Sequence, residues 1–216
     1  QGVTAKPHAI LVDQAGVRRV EGEVIRRWGE VRALGVDWHE FETYLWTQQV
    51  TAREDADSGI HRGQTVARRW RPGIWFAGPL NSEGWAQLRL DAERARPGGR
   101  LHPARGVNAQ IGLNPAPWFT RLTAELNIGE RIDVDADRAG RGADGFIEAI
   151  LRGTLGGFGV ESEQKLQAAF IERDGQRVLT DSAGRWLGVL HLSARDSLRL
   201  VWHAVRYRRA ADAQAA

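Results

Sequence analysis

The chain has 216 residues, 42% of them hydrophobic, a formal net charge of +3 at pH 7 and a mean hydropathy of -0.41. This length suits one large all-β domain or two small ones. The absence of cysteine excludes a disulfide scaffold and a thiolate metal site. No run approaches the roughly 18 consecutive apolar residues of a transmembrane helix, whereas a transmembrane β-barrel needs only alternate apolar residues.

The first predicted strands alternate weakly between apolar and polar residues. Residues 20–34 and 64–76 are predicted strands, and one more strand is predicted near residues 9–12. Between them, the segment VDWHEFETYLWTQQV (36–50) is predicted to carry Trp38, Tyr44 and Trp46 on an apolar face. Glu40 and Glu42 interrupt that face.

The downstream strands alternate more regularly. In RLTAELNIGERIDV (121–134), apolar residues occupy every even position except Glu130, and polar residues occupy most odd positions, which predicts a β-strand. At about 3.3 Å per residue this strand would extend roughly 45 Å, far beyond the usual five or six residues. The same period is found in residues 85–94, 107–114, 146–155, 160–170, 185–194 and 198–207. The sequence therefore predicts ten strands between about residues 20 and 209.

The predicted connections alternate in length. Short ones lie at residues 34–35, 78–79, 114–117, 156–159 and 195–197, and long ones at 51–63, 94–102, 135–144 and 173–185. Short periplasmic turns and long extracellular loops are typical of an up-and-down outer-membrane barrel. A soluble barrel or sandwich with an apolar interior has the same strand period, so this alternative stays open.

Three segments resemble a bacterial outer-membrane-type β-barrel region. They are LNIGERIDVDADRAGRG, ESEQKLQAAFIERDGQRVLTDS and LSARDSLRLVWHAVRYRR, and the resemblance covers about residues 118–209. In that family the barrel follows an N-terminal domain similar to carbohydrate-binding module family 9, which has no counterpart in this chain. The resemblance implies a barrel fold and an outer-membrane location rather than an activity.

The polar faces of the predicted strands supply candidate lumen-facing residues, and these are Glu125, Arg131, Glu148, Arg152, Glu161, Glu163, Lys165 and Arg199. Their mixed charges would set conductance and ion preference in a pore. Aromatic residues are enriched where a barrel meets the membrane surface. The candidates for such an aromatic girdle are Trp38, Tyr44, Trp46, Trp186 and Trp202.

The sequence shows little that is typical of catalysis. His191 and His203 lie on adjacent predicted strands, where a metal site would lack an evident third ligand. His61 has the acidic neighbours Glu54, Asp55 and Asp57, and it supports a distant enzyme alternative. The Arg-Trp stretch ARRWRPGIW (67–75) is better explained as a charged strand face than as a nucleic-acid site. We therefore predict no catalytic residue, no cofactor and no metal.

These patterns predict an all-β, antiparallel, up-and-down transmembrane β-barrel with about 10–12 strands, or a fragment of a larger barrel. Residues 1–216 are predicted to form a single β-barrel domain or barrel fragment, with residues 1–18 irregular or one edge strand and residues 210–216 a tail. The expected function is passive passage or structural anchoring in the outer membrane of a Gram-negative bacterium. The expected partners are the lipid bilayer and a small solute or oligosaccharide of unknown identity, but not nucleic acid. The alternative is a soluble all-β carbohydrate-binding domain that uses Trp stacking.

Two finer expectations concern the last strands. In the last hairpin, Leu192 is predicted to face Leu200 and Leu190 to face Trp202, around a loop at residues 195–197. The count of strands predicts that the last strand ends on the side of the long loops. A complete barrel normally has both termini on the other side, so the chain is expected to lack at least one C-terminal strand.

Overall fold

The computed structural model describes residues 3–6, 13–14, 16–33, 35–53, 60–95 and 98–210. Two short strands, β1 (Val3–Lys6) and β2 (Asp13–Gln14), come first. Ten long strands follow: β3 (Val17–Ala33), β4 (Val36–Ala52), β5 (Thr65–Gly78), β6 (Ser82–Arg94), β7 (Leu101–Leu113), β8 (Phe119–Asp133), β9 (Arg138–Leu155), β10 (Phe158–Arg173), β11 (Gln176–His191) and β12 (Ser197–Arg209). A short 3-10 turn (Pro79–Asn81) joins β5 to β6.

Strands β3 to β12 form one antiparallel meander, in which each strand pairs with its neighbours in the chain. Both β1 and β2 pair with β3. The predicted all-β class and the ten up-and-down strands are thereby confirmed. The strand predicted near residues 9–12 lies outside the described residues. Within the described part of the chain, no helix has the length and apolar character needed to cross a membrane.

The two connections predicted to be long in the second half are shorter than predicted. Residues 134–137 join β8 to β9, and Asp174–Gly175 alone join β10 to β11. The predicted alternation of short and long connections is therefore wrong from the sixth connection onward. The Gly- and Arg-rich segments continue as strands because the neighbouring strands satisfy their backbone hydrogen bonds. Asp174 and Gly175 both have positive φ, as the favoured Asp-Gly hairpin turn requires.

The register separates a polar face from an apolar face. One row of cross-strand partners runs through Gln87, Asn108, Asn127 and Asp144. Most buried polar residues lie on this polar face, and they are Gln48, Arg89, Asp91, Asn108, Thr123, Asn127 and Asp133. The opposite face exposes large apolar side chains, among them Leu88, Val107, Leu126, Ile128, Ile147, Leu166 and Trp202.

Contacts that skip a strand show that the polar face is concave. The Tyr44 hydroxyl donates to Gln87 Oε1 at 3.3 Å, across β5. Arg89 Nη2 donates to the Glu130 carbonyl oxygen at 3.0 Å, across β7. Arg209 of β12 reaches Asp133 of β8 at 2.7 Å. We therefore name the polar face the inner face and the apolar face the outer face.

A row of glycines allows the sheet to bend on its inner face. Gly106, Gly129 and Gly142 are consecutive cross-strand partners. Gly129 has a φ of 141°, and a Cβ on Gly106 would collide with the carbonyl oxygen of Ile128. Pairing between β7 and β8 also stops at Gly106 and Gly129. The backbones approach closely here because no side chain separates them.

The described sheet is open. β12 pairs only with β11, and no ladder joins β12 to β1 or β3 within the described ranges. Barrel closure, the finer part of the predicted fold, is therefore not shown. The expectation that the chain is a piece of a larger barrel stays a prediction.

The last hairpin has a different register from the predicted one. Leu190 faces Leu198 and Trp186 faces Trp202, so the predicted pairs are wrong by four residues. The Ser193 hydroxyl explains the larger loop, because it accepts from the Arg195 and Asp196 amides at 3.1 and 3.0 Å. A shift by an even number leaves every side chain on its predicted face.

Candidate functional site

All of the predicted lumen candidates lie on the inner face of the sheet. The register places Glu125 and Arg131 on β8, Glu148 and Arg152 on β9, Glu161, Glu163 and Lys165 on β10, and Arg199 on β12. The structure therefore brings these residues to one concave surface. Whether that surface lines a lumen stays a prediction.

Most of these charges have a partner of opposite sign on a neighbouring strand. Arg152 Nε lies 2.6 Å from Glu161 Oε2, and Lys165 Nζ lies 3.7 Å from Glu148 Oε2. Glu163 pairs with Arg185 at 2.7 Å, and Arg131 pairs with Asp144. Glu125 accepts a hydrogen bond from Asn127 at 3.0 Å, and Arg199 is exposed. The inner face is consequently charged but nearly balanced.

A buried carboxylate that the sequence analysis missed connects three strands. Asp133 of β8 lies 3.3 Å from Arg173 of β10 and 2.7 Å from Arg209 of β12, and its side chain is only 2% exposed. Asp133 comes two residues after Arg131 in β8, so the alternation indicated that both side chains share the inner face. Nothing in the local pattern could indicate a partner 76 residues away.

The aromatic girdle candidates divide between the two faces. Trp186 and Trp202 are cross-strand partners on the outer face, as predicted. Trp38 packs edge-to-face against Phe76, with ring centroids 4.8 Å apart. Tyr44 and Trp46 lie instead on the inner face, so their assignment to the apolar face is wrong. Glu40 and Glu42 lie at even positions of β4, as Tyr44 and Trp46 do, so all four side chains share one face. The two carboxylates, and not the aromatic rings, indicated that this face is the polar one.

Two tryptophans that were not singled out from the sequence extend this inner aromatic group. Trp75 and Trp85 are cross-strand partners on β5 and β6, and the register places them on the same face as Tyr44 and Trp46. We name these four residues and the polar groups around them the aromatic cleft. One part of it, about 380 Å³, is lined by Glu23, Ile25, Glu42, Tyr44, Trp46, Arg71, Trp75, Trp85 and Gln87.

The second part of the aromatic cleft lies toward the turn between β5 and β6. It has a volume of about 390 Å³ and shares Trp75 and Trp85 with the first part. Its polar lining includes Glu83, Gln110 and Arg121. Each part falls within the usual volume range of small-molecule sites.

Neighbouring glycine and amide groups hold the rings of the aromatic cleft in position. A Cβ on Gly73 would lie 2.5 Å from the Tyr44 ring, so this glycine lets the ring cross β5 and reach Gln87. Trp85 Nε1 donates to Gln110 Oε1 at 2.8 Å. The Arg71 guanidinium lies 5.2 Å from the Trp46 ring centroid and forms an ion pair with Asp91 at 2.7 Å. These contacts fix the aromatic rings before any ligand arrives.

The histidines do not form the site considered from the sequence. His191 pairs with Ser197 and His203 with Arg185, so the two imidazoles lie six residues apart along β11 rather than on neighbouring rungs. No group of three metal-ligating side chains occurs among the described residues. The acidic neighbours of His61, which are Glu54, Asp55 and Asp57, lie outside the described ranges.

A large depression lies mainly on the outer face. It has a volume of about 780 Å³, and its floor is formed by small residues that include Ala86, Ala109, Ala124, Ala143 and Gly145. Larger side chains such as Ile147 and Leu166 border it. The depression is therefore part of the exposed apolar surface.

Comparison with known proteins adds no further assignment. No protein-family model, curated protein or solved structure matches this chain. The resemblance to an outer-membrane barrel region therefore stays a prediction.

Proposed function

We propose that this chain forms the wall of an outer-membrane-type β-barrel, or a part of such a wall, in a Gram-negative bacterium. The outer face lies against the lipid bilayer, and the inner face lines a passage for small solutes. The role is passive passage or structural anchoring, and no residue performs catalysis.

The observation that carries this proposal is the inverted burial of the two faces. Ile147 is 56% exposed and Leu166 is 65% exposed, whereas Asp91 and Asp133 are 5% and 2% exposed. Soluble monomers rarely expose a continuous apolar surface of this kind. Lipid removes that cost, because hydrocarbon tails solvate apolar side chains.

Strand length gives independent support. The ten strands from β3 to β12 have between 13 and 18 residues. A tilted strand needs about 9–11 residues to cross the hydrocarbon core, and typical soluble strands have about five or six. Each of these strands is therefore long enough to cross a bilayer and extend beyond it.

The balanced charges of the inner face suggest weak ion selectivity. Pairs such as Arg152–Glu161 and Arg185–Glu163 leave little net charge along β9, β10 and β11. Rings of one charge sign are what make a pore strongly selective. A passage lined by this face would therefore admit small neutral solutes and ions of both signs.

The soluble alternative makes the opposite prediction about burial. A soluble carbohydrate-binding sandwich or barrel would pack Leu126 and Ile147 in its core and leave Glu125 exposed. Leu126 is instead 50% exposed. The exposure of the apolar face therefore favours the membrane proposal over this alternative.

Site-directed spin labelling tests the proposal. The natural chain has no cysteine, so Glu125→Cys and Leu126→Cys each give a single labelled site. In phospholipid vesicles, we expect the label at 126 to be more accessible to oxygen and the label at 125 to be more accessible to a water-soluble nickel chelate. Preferential access of the nickel chelate to position 126 would overturn the proposal.

A further inference from the structure

The aromatic cleft lies on the inner face, away from the apolar surface that is proposed to contact lipid. Contact with lipid therefore does not explain its aromatic residues. Tyr44, Trp46, Trp75 and Trp85 lie on the inner face, opposite the exposed apolar surface. All four side chains are partly exposed. Among the described residues, no ring-to-ring contact joins them to one another. One side of the Tyr44 ring lies against Gly73, and the Arg71 guanidinium lies over the Trp46 ring, so Trp75 and Trp85, which line both parts of the cleft, present the ring faces that are available to a ligand.

The polar groups around the rings have unused hydrogen-bonding capacity. Gln110 accepts from Trp85 through its oxygen, which leaves its amide nitrogen as a donor. Arg121 uses Nε toward the Thr123 hydroxyl at 3.0 Å, which leaves the terminal guanidinium nitrogens. Glu83 forms no ion pair with another described residue. Donors and acceptors are thus both present beside the rings.

The charges in the cleft are nearly balanced, and Glu23, a carboxylate of the first part with no ion pair to another described residue, disfavours an anionic ligand. Glu42 pairs with Arg27 at 2.6 Å, and Arg71 pairs with Asp91 at 2.7 Å. Glu83 and Arg121 contribute one charge of each sign to the second part of the cleft. A ligand that matches this lining is neutral, has many hydroxyl groups and presents an apolar face to the rings.

We propose that the aromatic cleft binds a neutral oligosaccharide. The axial C–H groups of a pyranose ring are slightly positive and fit the negative face of an indole or phenol ring. The equatorial hydroxyls can exchange hydrogen bonds with Glu83, Gln110 and Arg121. The two parts of the cleft share Trp75 and Trp85, which places more than one sugar subsite along the inner face. One part of this inference rests on the proposed function, namely that the bound sugar is a solute that moves through the passage.

The test is isothermal titration of the refolded protein in detergent with defined oligosaccharides. The neutral probes are maltohexaose, cellohexaose, xylohexaose and chitohexaose, and the charged probe is hexagalacturonate. We expect saturable binding of at least one neutral probe and weaker binding of the charged one. Trp85→Leu should weaken that binding about tenfold or more, because a buried aromatic contact carries much of a binding energy.

Two further variants keep the test decisive. Trp202→Leu removes an outer-face tryptophan and should leave saccharide affinity unchanged. Gln110→Ala keeps all the aromatic rings and should also weaken binding, which covers the case in which Trp85→Leu fails to fold by circular dichroism. Absence of binding by all neutral probes, or binding insensitive to both inner-face variants, would overturn the proposal. Spin labels at 125 and 126 test the membrane proposal separately, since they report lipid contact whether or not a sugar binds.

Discussion

The substitution Leu126→Arg gives the sharpest test of what contacts the outer face. Leu126 lies at the midpoint of β8 (Phe119–Asp133), and it is 50% exposed. If lipid surrounds the outer face, an arginine near the bilayer midplane should lower the free energy of unfolding by about 2–4 kcal/mol. That range corresponds to a change of roughly 30- to 700-fold in the unfolding equilibrium constant.

In water the same substitution should have almost no effect. Because Leu126 is already half-exposed, arginine creates no cavity and buries no charge. Surface changes of this type usually alter the unfolding free energy by about 0.5 kcal/mol or less. Lipid and water therefore predict changes in the free energy of unfolding that differ severalfold, although the folded structure is the same.

The assay is denaturant-induced unfolding in phosphatidylcholine vesicles, followed by tryptophan emission. Leu155→Arg is the matched control, since Leu155 is a 70% exposed residue at the end of β9, beside the turn to β10. There the arginine can reach the membrane surface, and the expected cost is about 0–1 kcal/mol. Equal small effects at both positions would refute the argument that the outer face contacts hydrocarbon.

Two further predictions concern the inner face. Asp133→Ala should lower the free energy of unfolding by about 1–3 kcal/mol, because it removes the buried partner of Arg173, whereas Arg209 keeps its ion pair with Asp135. Chemical denaturation measures this, and no measurable loss would contradict the role of this carboxylate in holding β8, β10 and β12 together. Gly106→Ala should destabilise the sheet, because its Cβ would meet the Ile128 carbonyl oxygen, whereas Gly153→Ala has open space and should be neutral or stabilising by up to about 1 kcal/mol. Equal thermal stability of these two glycine variants would show that the backbones near Gly106 can separate without cost.

The alternation of residues along each strand determined much of the fold. The period of two in residues 121–134 predicted the long β8 and the residues that share each of its faces. The eight predicted lumen candidates share one face for the same reason. Where alternation was weak, as around Tyr44 and Trp46, the aromatic rings were assigned to the wrong face.

Local turn chemistry was present in the sequence but was not given enough weight. Asp174–Gly175 is a favoured two-residue hairpin turn, and the structure uses it as one. The prediction of a long loop at residues 173–185 treated polar and glycine-rich residues as loop. In this sheet those residues continue the strands, since each backbone group finds its partner across the ladder.

Only the tertiary structure decided which face is concave and which residues meet across it. Alternation separates two faces but is the same whether the apolar one points inward or outward. The contact between Asp133 and Arg209 joins residues 76 positions apart, and the first part of the aromatic cleft assembles side chains from four strands. Such contacts depend on the register and curvature of the whole sheet, which no single segment of the sequence encodes. The sequence therefore determined the strands and their two faces, and the curvature of the sheet determined the candidate site.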